Sequence, residues 1–459
     1  MRHLNCLNVL WDPNFLMQHP EIFCSRLLPL NKTHPNLPDK SQMRPIVVTS
    51  ALFKVLELRF VDELRDAFDK LPPLSKGQVG FISGMSTHVN ISRLCEQISQ
   101  PYLRTVKNYI PANNGPNGIN QFLRSFIIFI DYEQAYNSVN MGKLYNCMAT
   151  SSTVSRESLD FIFWTYSNLN ISLGNHSFNP KFGVPQGGIN SPLLFDFAIY
   201  FMLEDFVKEL NDTPIEMNYP DSKINTDNHY LFADDAAFAL HFRHRKFEVV
   251  KERLKNFILI LHKVSKEWGL HINFKKSAIM PMFNSKVQVD KLSDKPILSC
   301  PDSDDKLITF CYPKYTFQIP VVVSYKYLGI YINKDLSLTD HLRFLKKKTT
   351  FLSNSFIAIR KASQMPKFCY NTWEPFIRPN LDYSSSYAYF VNPADQQKLQ
   401  TLYRTSLKRR LFLKDNVPDI FTYKLIQFSY RKPSMQILSH CKCKVRPTQG
   451  NTERLQLAS

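Results

Sequence analysis

Residues 230–238 read Tyr230-Leu-Phe-Ala-Asp-Asp-Ala-Ala-Phe238, with two adjacent acids set inside apolar sequence. An Asp-Asp pair alone commonly marks a solvated turn. Here apolar and aromatic residues flank it on both sides, and burying unpaired carboxylates among such neighbours is costly. A bound cation resolves that cost. The pattern predicts two short strands with the acids at the bend.

Working outward, Phe126-Ile-Ile-Phe-Ile130 is a short apolar run that ends at Asp131. It predicts a buried strand delivering a third acid at its C-terminal end. Phosphoryl transfer to a growing strand uses two divalent ions roughly 3.5–4 Å apart, one activating the attacking hydroxyl and one holding the triphosphate. Mg²⁺ prefers carboxylate oxygens and keeps waters and substrate phosphates as its other ligands. One acid at a strand end and two on an adjacent hairpin supply such a site. Asp131, Asp234 and Asp235 are therefore the candidate ligands, which requires two distant segments to meet.

Elsewhere the chain alternates helix and strand patterns. Leu52, Val55, Leu56, Val61, Leu64 and Phe68 recur at helical spacing, predicting a helix over residues 50–68 that Pro72 and Pro73 end. Residues 111–120 are dense in turn formers. Helices are expected over 159–169, from Pro192 to about 210, and over 244–268. A hairpin is expected around Gly174 and Asn175, with strands over 271–280 and 327–332. Residues 284–320, polar and Pro-containing, read as an insertion. Beyond Asp335 the pattern is helical over 339–362, 369–377 and 394–413. Residues 1–30 carry little signal, and no internal repeat is present.

The formal charge of +18 points to a polyanionic partner. It is uneven: residues 336–459 hold 21 Lys/Arg against 7 Asp/Glu, a net +14, leaving +4 for residues 1–335. Solubility needs no such asymmetry, so a catalytic body with a basic, nucleic-acid-gripping end is expected. The nine cysteines lack paired spacing apart from Cys441 and Cys443, which argues for a reducing compartment. His440, Cys441 and Cys443 lack a second ligand pair and read as free side chains near a basic tail. No apolar run reaches the ~18–20 residues of a membrane span, and no signal-peptide pattern opens the chain. An intracellular location, nucleus or cytoplasm with an organelle not excluded, and no membrane partner are expected.

Tyr230-Leu-Phe-Ala-Asp-Asp resembles the F/Y-A-D-D box of reverse transcriptases. Other segments match in the family's order. Asp131-Tyr-Glu-Gln-Ala-Tyr-Asn-Ser-Val139 resembles the first catalytic box, with Asn137 where the family usually has Asp. Gly183-Val-Pro-Gln-Gly-Gly-Ile-Asn-Ser-Pro-Leu-Leu-Phe195 resembles the P-Q-G box. Gly269-Leu-His-Ile-Asn-Phe-Lys-Lys-Ser277 is similar to G-L-x-I-N-x-x-K-T/S, and Tyr327-Leu-Gly-Ile330 to the primer-grip box. Upstream, Met43-Arg-Pro-Ile46 and Gln78-Val-Gly-Phe-Ile-Ser-Gly-Met-Ser-Thr87 are similar to the fingers boxes. With Ile377-Arg-Pro-Asn-Leu-Asp-Tyr383 and the helix after it, the whole is most similar to non-LTR (LINE-type) retrotransposon enzymes.

That resemblance implies an α+β, right-hand polymerase. It would comprise a lead-in over 1–25, fingers and a palm with an antiparallel sheet over 26–335, and a basic helical thumb and tail over 336–459. Asp131, Asp234 and Asp235 would hold two Mg²⁺ ions, with Mn²⁺ possible in their place, and the carbonyl of Tyr132 would add a ligand. Tyr136 would lie under the incoming sugar and exclude a 2′-hydroxyl. Gln186 and Gly187 would approach the template base and nucleotide, and Arg44 and Lys32 would neutralise the triphosphate. Lys276 would protonate departing pyrophosphate, and Tyr327, Leu328 and Gly329 would seat the primer terminus.

Lys346, Lys347, Lys348, Lys408, Arg409 and Arg410 would grip phosphates without reading sequence. The implied partners are an RNA template, a DNA primer and dNTP. The implied activity is RNA-directed DNA polymerase chemistry, as in a retrotransposon fragment, since no nuclease, zinc-knuckle or RNase H pattern accompanies it. The alternatives are a catalytically inactive RNA-binding or maturase-like relic of the same fold and, more remotely, an RNA-dependent RNA polymerase. Both lean on the same palm.

Overall fold

The computed structural model describes residues 11–31, 36–37, 43–72, 74, 77–107, 123–151, 154–181, 183–212, 228–243, 247–282, 307–312, 315–355, 366–388, 390–391, 393–411 and 413–419. The chain divides into two compact units, Met1–Leu328 and Gly329–Ser459.

In the first unit α1 (Pro13–Gln18) and a short 3-10 turn lead into β1 (Cys24–Asn31), β2 (Met43–Val48), α2 (Ala51–Leu58), α3 (Val61–Asp69) and α4 (Thr87–Lys107). β3 (Leu123–Ile130), β4 (Tyr132–Glu133), α5 (Ala135–Ser138), α6 (Met141–Ser151) and α7 (Arg156–Ser167) follow. Next come β5 (Asn170–Leu173), β6 (His176–Phe178), α8 (Ser191–Asp212), β7 (His229–Phe232), β8 (Asp235–Arg243) and α9 (Phe247–Glu267). The unit closes with β9 (His271–Ile272), β10 (Ala278–Met282), β11 (Leu307–Tyr312), β12 (Tyr315–Pro320) and β13 (Ser324–Tyr327).

Two four-stranded sheets organise this unit. One has the order β2-β1-β5-β6 and the other β10-β3-β8-β7. In the second sheet every neighbouring pair is antiparallel. Its central strand β3 is apolar at consecutive positions because both faces are covered. Phe126, Ile128 and Ile130 join the main core with Phe238, Leu240 and the buried residues of α8 and α9. The alternate residue Phe129 stacks instead on Tyr325, ring centroids 4.2 Å apart. Pleating thus gives the sheet a helix-covered face and a face bearing Tyr325.

The expected helix over residues 50–68 is two helices. α2 sends Phe53 and Leu56 into a small core with Ile22, Phe23, Val47 and Ile171, whereas Phe60 and the α3 residues Leu64 and Phe68 enter the main core. One straight helix could not serve both, and the chain turns at Arg59 and Phe60. Ser50 starts α2 by accepting the Phe53 N–H at 3.0 Å, and its hydroxyl donates to the Ile22 carbonyl at 2.6 Å.

Other boundaries shift for local reasons. The strand expected over 271–280 is interrupted because the Asn273 carbonyl accepts the N–H groups of Lys276 and Ser277 at 3.1 and 2.8 Å, folding 273–277 into a turn. The strand expected over 327–332 is broken by positive φ at Leu328 and Gly329. Within the expected insertion, β11 and β12 form an antiparallel hairpin. β1, in the stretch that carried little signal, is a central strand of its sheet.

The second unit contains β14 (Ile330–Asn333) and helices α10 (Thr339–Ser355), α11 (Pro366–Phe376), α12 (Arg378–Asp382), α13 (Ser385–Ala388) and α14 (Pro393–Arg410). Trp373 is buried against α14, its indole N–H donating to Ser406 Oγ at 3.1 Å. Among the described residues no helix is long and apolar enough to cross a membrane.

Candidate active site

The β3–β8 register decides where the acids fall. Ile130 pairs with Ala236, and the strands run antiparallel, so Asp131, just past the end of β3, and Asp235, the first residue of β8, are the next residues outward. Ile130 and Ala236 point to the helix-covered core, which turns Asp131 and Asp235 to the other face. Asp234 lies beside them on the bend between β7 and β8, where Phe232 pairs with Asp235. Asp131 is half-buried, whereas Asp234 and Asp235 open to solvent.

Asp235 lies close enough to the other two acids to feel their charge. Crowding by protein atoms first, then the charges of Asp234 and Asp131, push the Asp235 carboxyl up to about 6. Burial, followed by the charges of Asp131 and Asp235, raises the Tyr325 phenol to about 12. Asp131 is anchored through its backbone. Its N–H donates to Ser277 Oγ at 3.1 Å and its carbonyl accepts the Asn273 N–H at 2.8 Å.

The hairpin carrying Asp234 and Asp235 is held by three buried side chains. The Gln78 side-chain oxygen accepts the N–H groups of Ala233 and Gly80 at 3.0 and 2.9 Å, and its amide donates to the Ala233 carbonyl at 3.3 Å. Asn90 donates to the Leu231 carbonyl at 2.7 Å, and the Tyr327 hydroxyl to the Tyr230 carbonyl at 2.8 Å. Ala233 has φ +56°, a left-handed conformation unusual for a residue with a side chain. These bonds fix that bend. Gln78 was legible only as part of a matched box, and its clamp on Ala233 depends on tertiary contact.

Tyr136, on α5, stacks on Phe195 of α8, centroids 4.2 Å apart and planes within 11°. Phe81 meets the Tyr136 ring edge-on. Burial first, then the charges of Asp196 and Asp234, hold the Tyr136 phenol far above its ordinary value. Asp196, next to Phe195, is completely buried, and neither carboxyl oxygen has a hydrogen-bond partner among the described residues. Burial pushes its carboxyl well above the usual carboxylate range.

The loop before α8 is stitched to β2 and α2. The Gln186 carbonyl accepts the Val47 N–H at 2.7 Å. Gly187 has φ +130°, and a Cβ there would lie 2.1 Å from the Val47 carbonyl oxygen, so only glycine fits. Arg44, exposed on β2, pairs with Leu30 across β1. Glu57 of α2 is buried and accepts the Tyr166 hydroxyl at 2.6 Å and the N–H groups of Ile189 and Asn190 at 2.9 and 3.3 Å. Desolvation raises its carboxyl despite these donors. A charged residue in the buried series Phe53, Glu57, Phe60, Leu64 was the signal that could have singled it out.

Tyr132 is buried on β4 opposite Ile272, and burial raises its phenol to about 12. Lys276 has an exposed side chain, and its carbonyl accepts the Tyr325 hydroxyl at 3.0 Å. Lys32, His440, Cys441 and Cys443 lie outside the described residues.

In the second unit Lys346, Lys347 and Lys348 are exposed on α10, and exposed Arg409 donates to Thr350 Oγ1 at 3.0 Å. Lys408 and Arg410 point inward. Lys408 pairs with Asp419 at 2.7 Å, and Arg410, 1% exposed, donates to Thr372 Oγ1 at 2.9 Å. This placement gives these two a packing role, whereas Arg409 and the α10 lysines are exposed.

The donor set suits a hard divalent cation: oxygen ligands only, on adjacent strands, with mutual repulsion that a cation would relieve. Among the described residues no three His, Cys, Asp or Glu side chains are already gathered as a metal cage. The fit rests on backbone register and on the raised Asp235 carboxyl.

The family model described as reverse transcriptase (RNA-dependent DNA polymerase) matches residues 31–332. No curated protein matches. Solved structures similar to this chain include apo telomerase from Candida tropicalis truncated of its C-terminal domain (13% identity, 70% of this chain and 57% of that one, TM-score 0.41). Telomerase from Candida albicans in complex with a TWJ fragment of telomeric RNA is another (11% identity, 92% and 66%, TM-score 0.43). Apo telomerase from Candida tropicalis is a third (12% identity, 96% and 65%, TM-score 0.43). This chain spans less than two thirds of each of these structures' own length.

Proposed function

Because the chain belongs to the reverse transcriptase (RNA-dependent DNA polymerase) family, with its right-hand polymerase fold, we propose that it is an active RNA-directed DNA polymerase of the non-LTR retrotransposon type. It extends a primer 3′-hydroxyl with dNTPs on an RNA template. The observation that supports this reading most is the β3–β8 register, which ends with Ile130 opposite Ala236, one residue short of Asp131 and Asp235, with Asp234 on the adjoining bend.

Asp131, Asp234, Asp235 and the Tyr132 carbonyl would hold two Mg²⁺ ions. Bound there, the ions supply charge neutralisation and activation of the attacking hydroxyl. Tyr136, fixed flat against Phe195, presents a rigid ring to the sugar and excludes a 2′-hydroxyl by contact. Gln186 and Gly187 bring backbone close to the nucleotide. Exposed Arg44 neutralises the triphosphate, and exposed Lys276 donates a proton to the leaving group. Tyr327, Leu328 and Gly329 seat the primer end. Lys346, Lys347, Lys348 and Arg409 grip the hybrid through its phosphates.

The test is primer extension on poly(rA)/oligo(dT) with Mg²⁺, comparing wild type with the double variant Asp234→Ala/Asp235→Ala. Incorporation of dTMP by wild type alone is expected. Incorporation by both, or by neither, would overturn the reading. Absence of incorporation with retained RNA binding would favour the inactive RNA-binding relic.

A further inference from the structure

We propose that Glu57 is a positioning residue for nucleotide binding, tying the loop that carries Gln186 and Gly187 to the fingers segment that carries Arg44. The inference rests on the polymerase reading above and adds a residue that touches no substrate.

Two anchors hold the loop. At its first end the loop is bonded to β2, where the Val47 N–H donates to the Gln186 carbonyl at 2.7 Å. At its second end it meets Glu57. One carboxylate oxygen accepts the Ile189 N–H at 2.9 Å, and the other accepts the Tyr166 hydroxyl at 2.6 Å and the Asn190 N–H at 3.3 Å. Val47 and Glu57 belong to one continuous stretch, β2 and α2, in which Ser50 caps the helix. Arg44 is three residues before Val47 on the same strand. The loop is therefore held between two points of the segment that presents the guanidinium.

The chemistry at the second anchor calls for a carboxylate. Ile189 and Asn190 immediately precede α8, a helix of 22 residues, and their N–H groups project from its positive end. The Asn190 carbonyl accepts the Leu194 N–H at 2.9 Å, which begins the helix. Three donors shared between its two oxygens satisfy the single buried carboxylate. Gly188 sits against this group. A Cβ there would lie 2.5 Å from Ser191 Oγ and 2.8 Å from Glu57 Oε1. The loop thus cannot shift along α8 without breaking the carboxylate's bonds.

Glu57→Gln keeps the shape but replaces one acceptor oxygen with an N–H donor facing another donor, so one anchor is lost without opening a cavity. In steady-state primer extension on poly(rA)/oligo(dT), Glu57→Gln should raise the dTTP KM by about tenfold while kcat changes by less than about threefold, the split expected when binding geometry rather than chemistry is disturbed. Tyr166→Phe, which removes one donor, should raise KM in the same direction by about two- to threefold. Measured in parallel, melting temperature should fall modestly for Glu57→Gln, where a buried donor loses its acceptor, while primer–template affinity stays near wild type for both variants.

An unchanged dTTP KM in Glu57→Gln would overturn the inference. So would a loss shared equally among KM, primer–template affinity and melting temperature, which would assign Glu57 to the fold alone. A wild-type chain that incorporates no dTMP would instead defeat the polymerase reading, so the two failures are distinguishable.

Discussion

Gln78 grips the backbone of Ala233 from both sides, accepting its N–H at 3.0 Å and donating to its carbonyl at 3.3 Å. The residue so held has a left-handed backbone and immediately precedes Asp234. Gln78→Leu should leave the Ala233 and Gly80 N–H groups buried without an acceptor, costing about 1–3 kcal/mol for each unsatisfied group. We expect a lower melting temperature and, at temperatures where the variant is folded, a drop of at least about tenfold in dTMP incorporation. Gln78→Glu, which keeps the acceptor, should fall between. Wild-type incorporation by Gln78→Leu would show that the bend needs no clamp.

Gly187→Ala should be far more damaging than Gly142→Ala. At Gly187 a Cβ meets the Val47 carbonyl at 2.1 Å in a positive-φ conformation, whereas at Gly142 the nearest atom is 3.7 Å away. Nucleotide KM in primer extension should rise by at least about tenfold for the first, and thermal melting and KM should stay near wild type for the second.

Asp196 makes stability depend on pH. Its carboxyl is raised in the fold by burial, so the native state holds a proton that the unfolded chain releases above about pH 4. The stabilisation is full below that value. It is lost as pH rises, at about 1.4 kcal/mol per unit, until the native carboxyl itself ionises. Asp196→Asn should remove this dependence. Denaturant titrations should find the variant close to wild type near pH 4, with an advantage that grows between pH 5 and 7. A constant difference across that range would refute the assignment.

Salt dependence should separate the basic residues of the second unit. Replacing Lys346, Lys347 and Lys348 with Gln should lower the slope of log affinity against log salt by about 1 for each lysine that contacts phosphate. Lys408→Met should leave that slope alone and lower the melting temperature, because Lys408 is spent on Asp419 inside the unit. Fluorescence anisotropy with an RNA–DNA hybrid reads the first effect and calorimetry the second.

Much of the palm could be read directly. The Phe126–Ile130 run and the Tyr230–Phe238 flanks are apolar because their strands are covered on both faces, and such strands announce themselves. The hairpin at Gly174 and Asn175 was legible from its turn chemistry. What escaped reading is what depends on non-local partners. Strand β1 draws its register from β2 and β5, and its own alternation is weak because most of its side chains are exposed. The break between α2 and α3 reflects two separate cores competing for one amphipathic pattern. Gln78, Glu57 and Asp196 are polar residues whose roles come from burial, which composition does not reveal. Lys408 and Arg410 looked like the rest of a basic run because charge count is blind to the direction a helix face points.

The ladder that joins Leu123 to Arg243 at one end and Ile130 to Ala236 at the other behaves as a ruler. Side chains alternate faces along it, so a one-residue insertion or deletion between these ends that is not absorbed as a bulge would slide the reading frame of one strand past the other. Asp131 would then confront a neighbour of Asp235 while Asp235 turned toward the helices. Changes of side-chain size inside the sheet can be repacked, whereas a change of length keeps the acids in place only if it is absorbed locally as a β-bulge. Changes of length are thereby tolerated most easily in the connections outside the ladder.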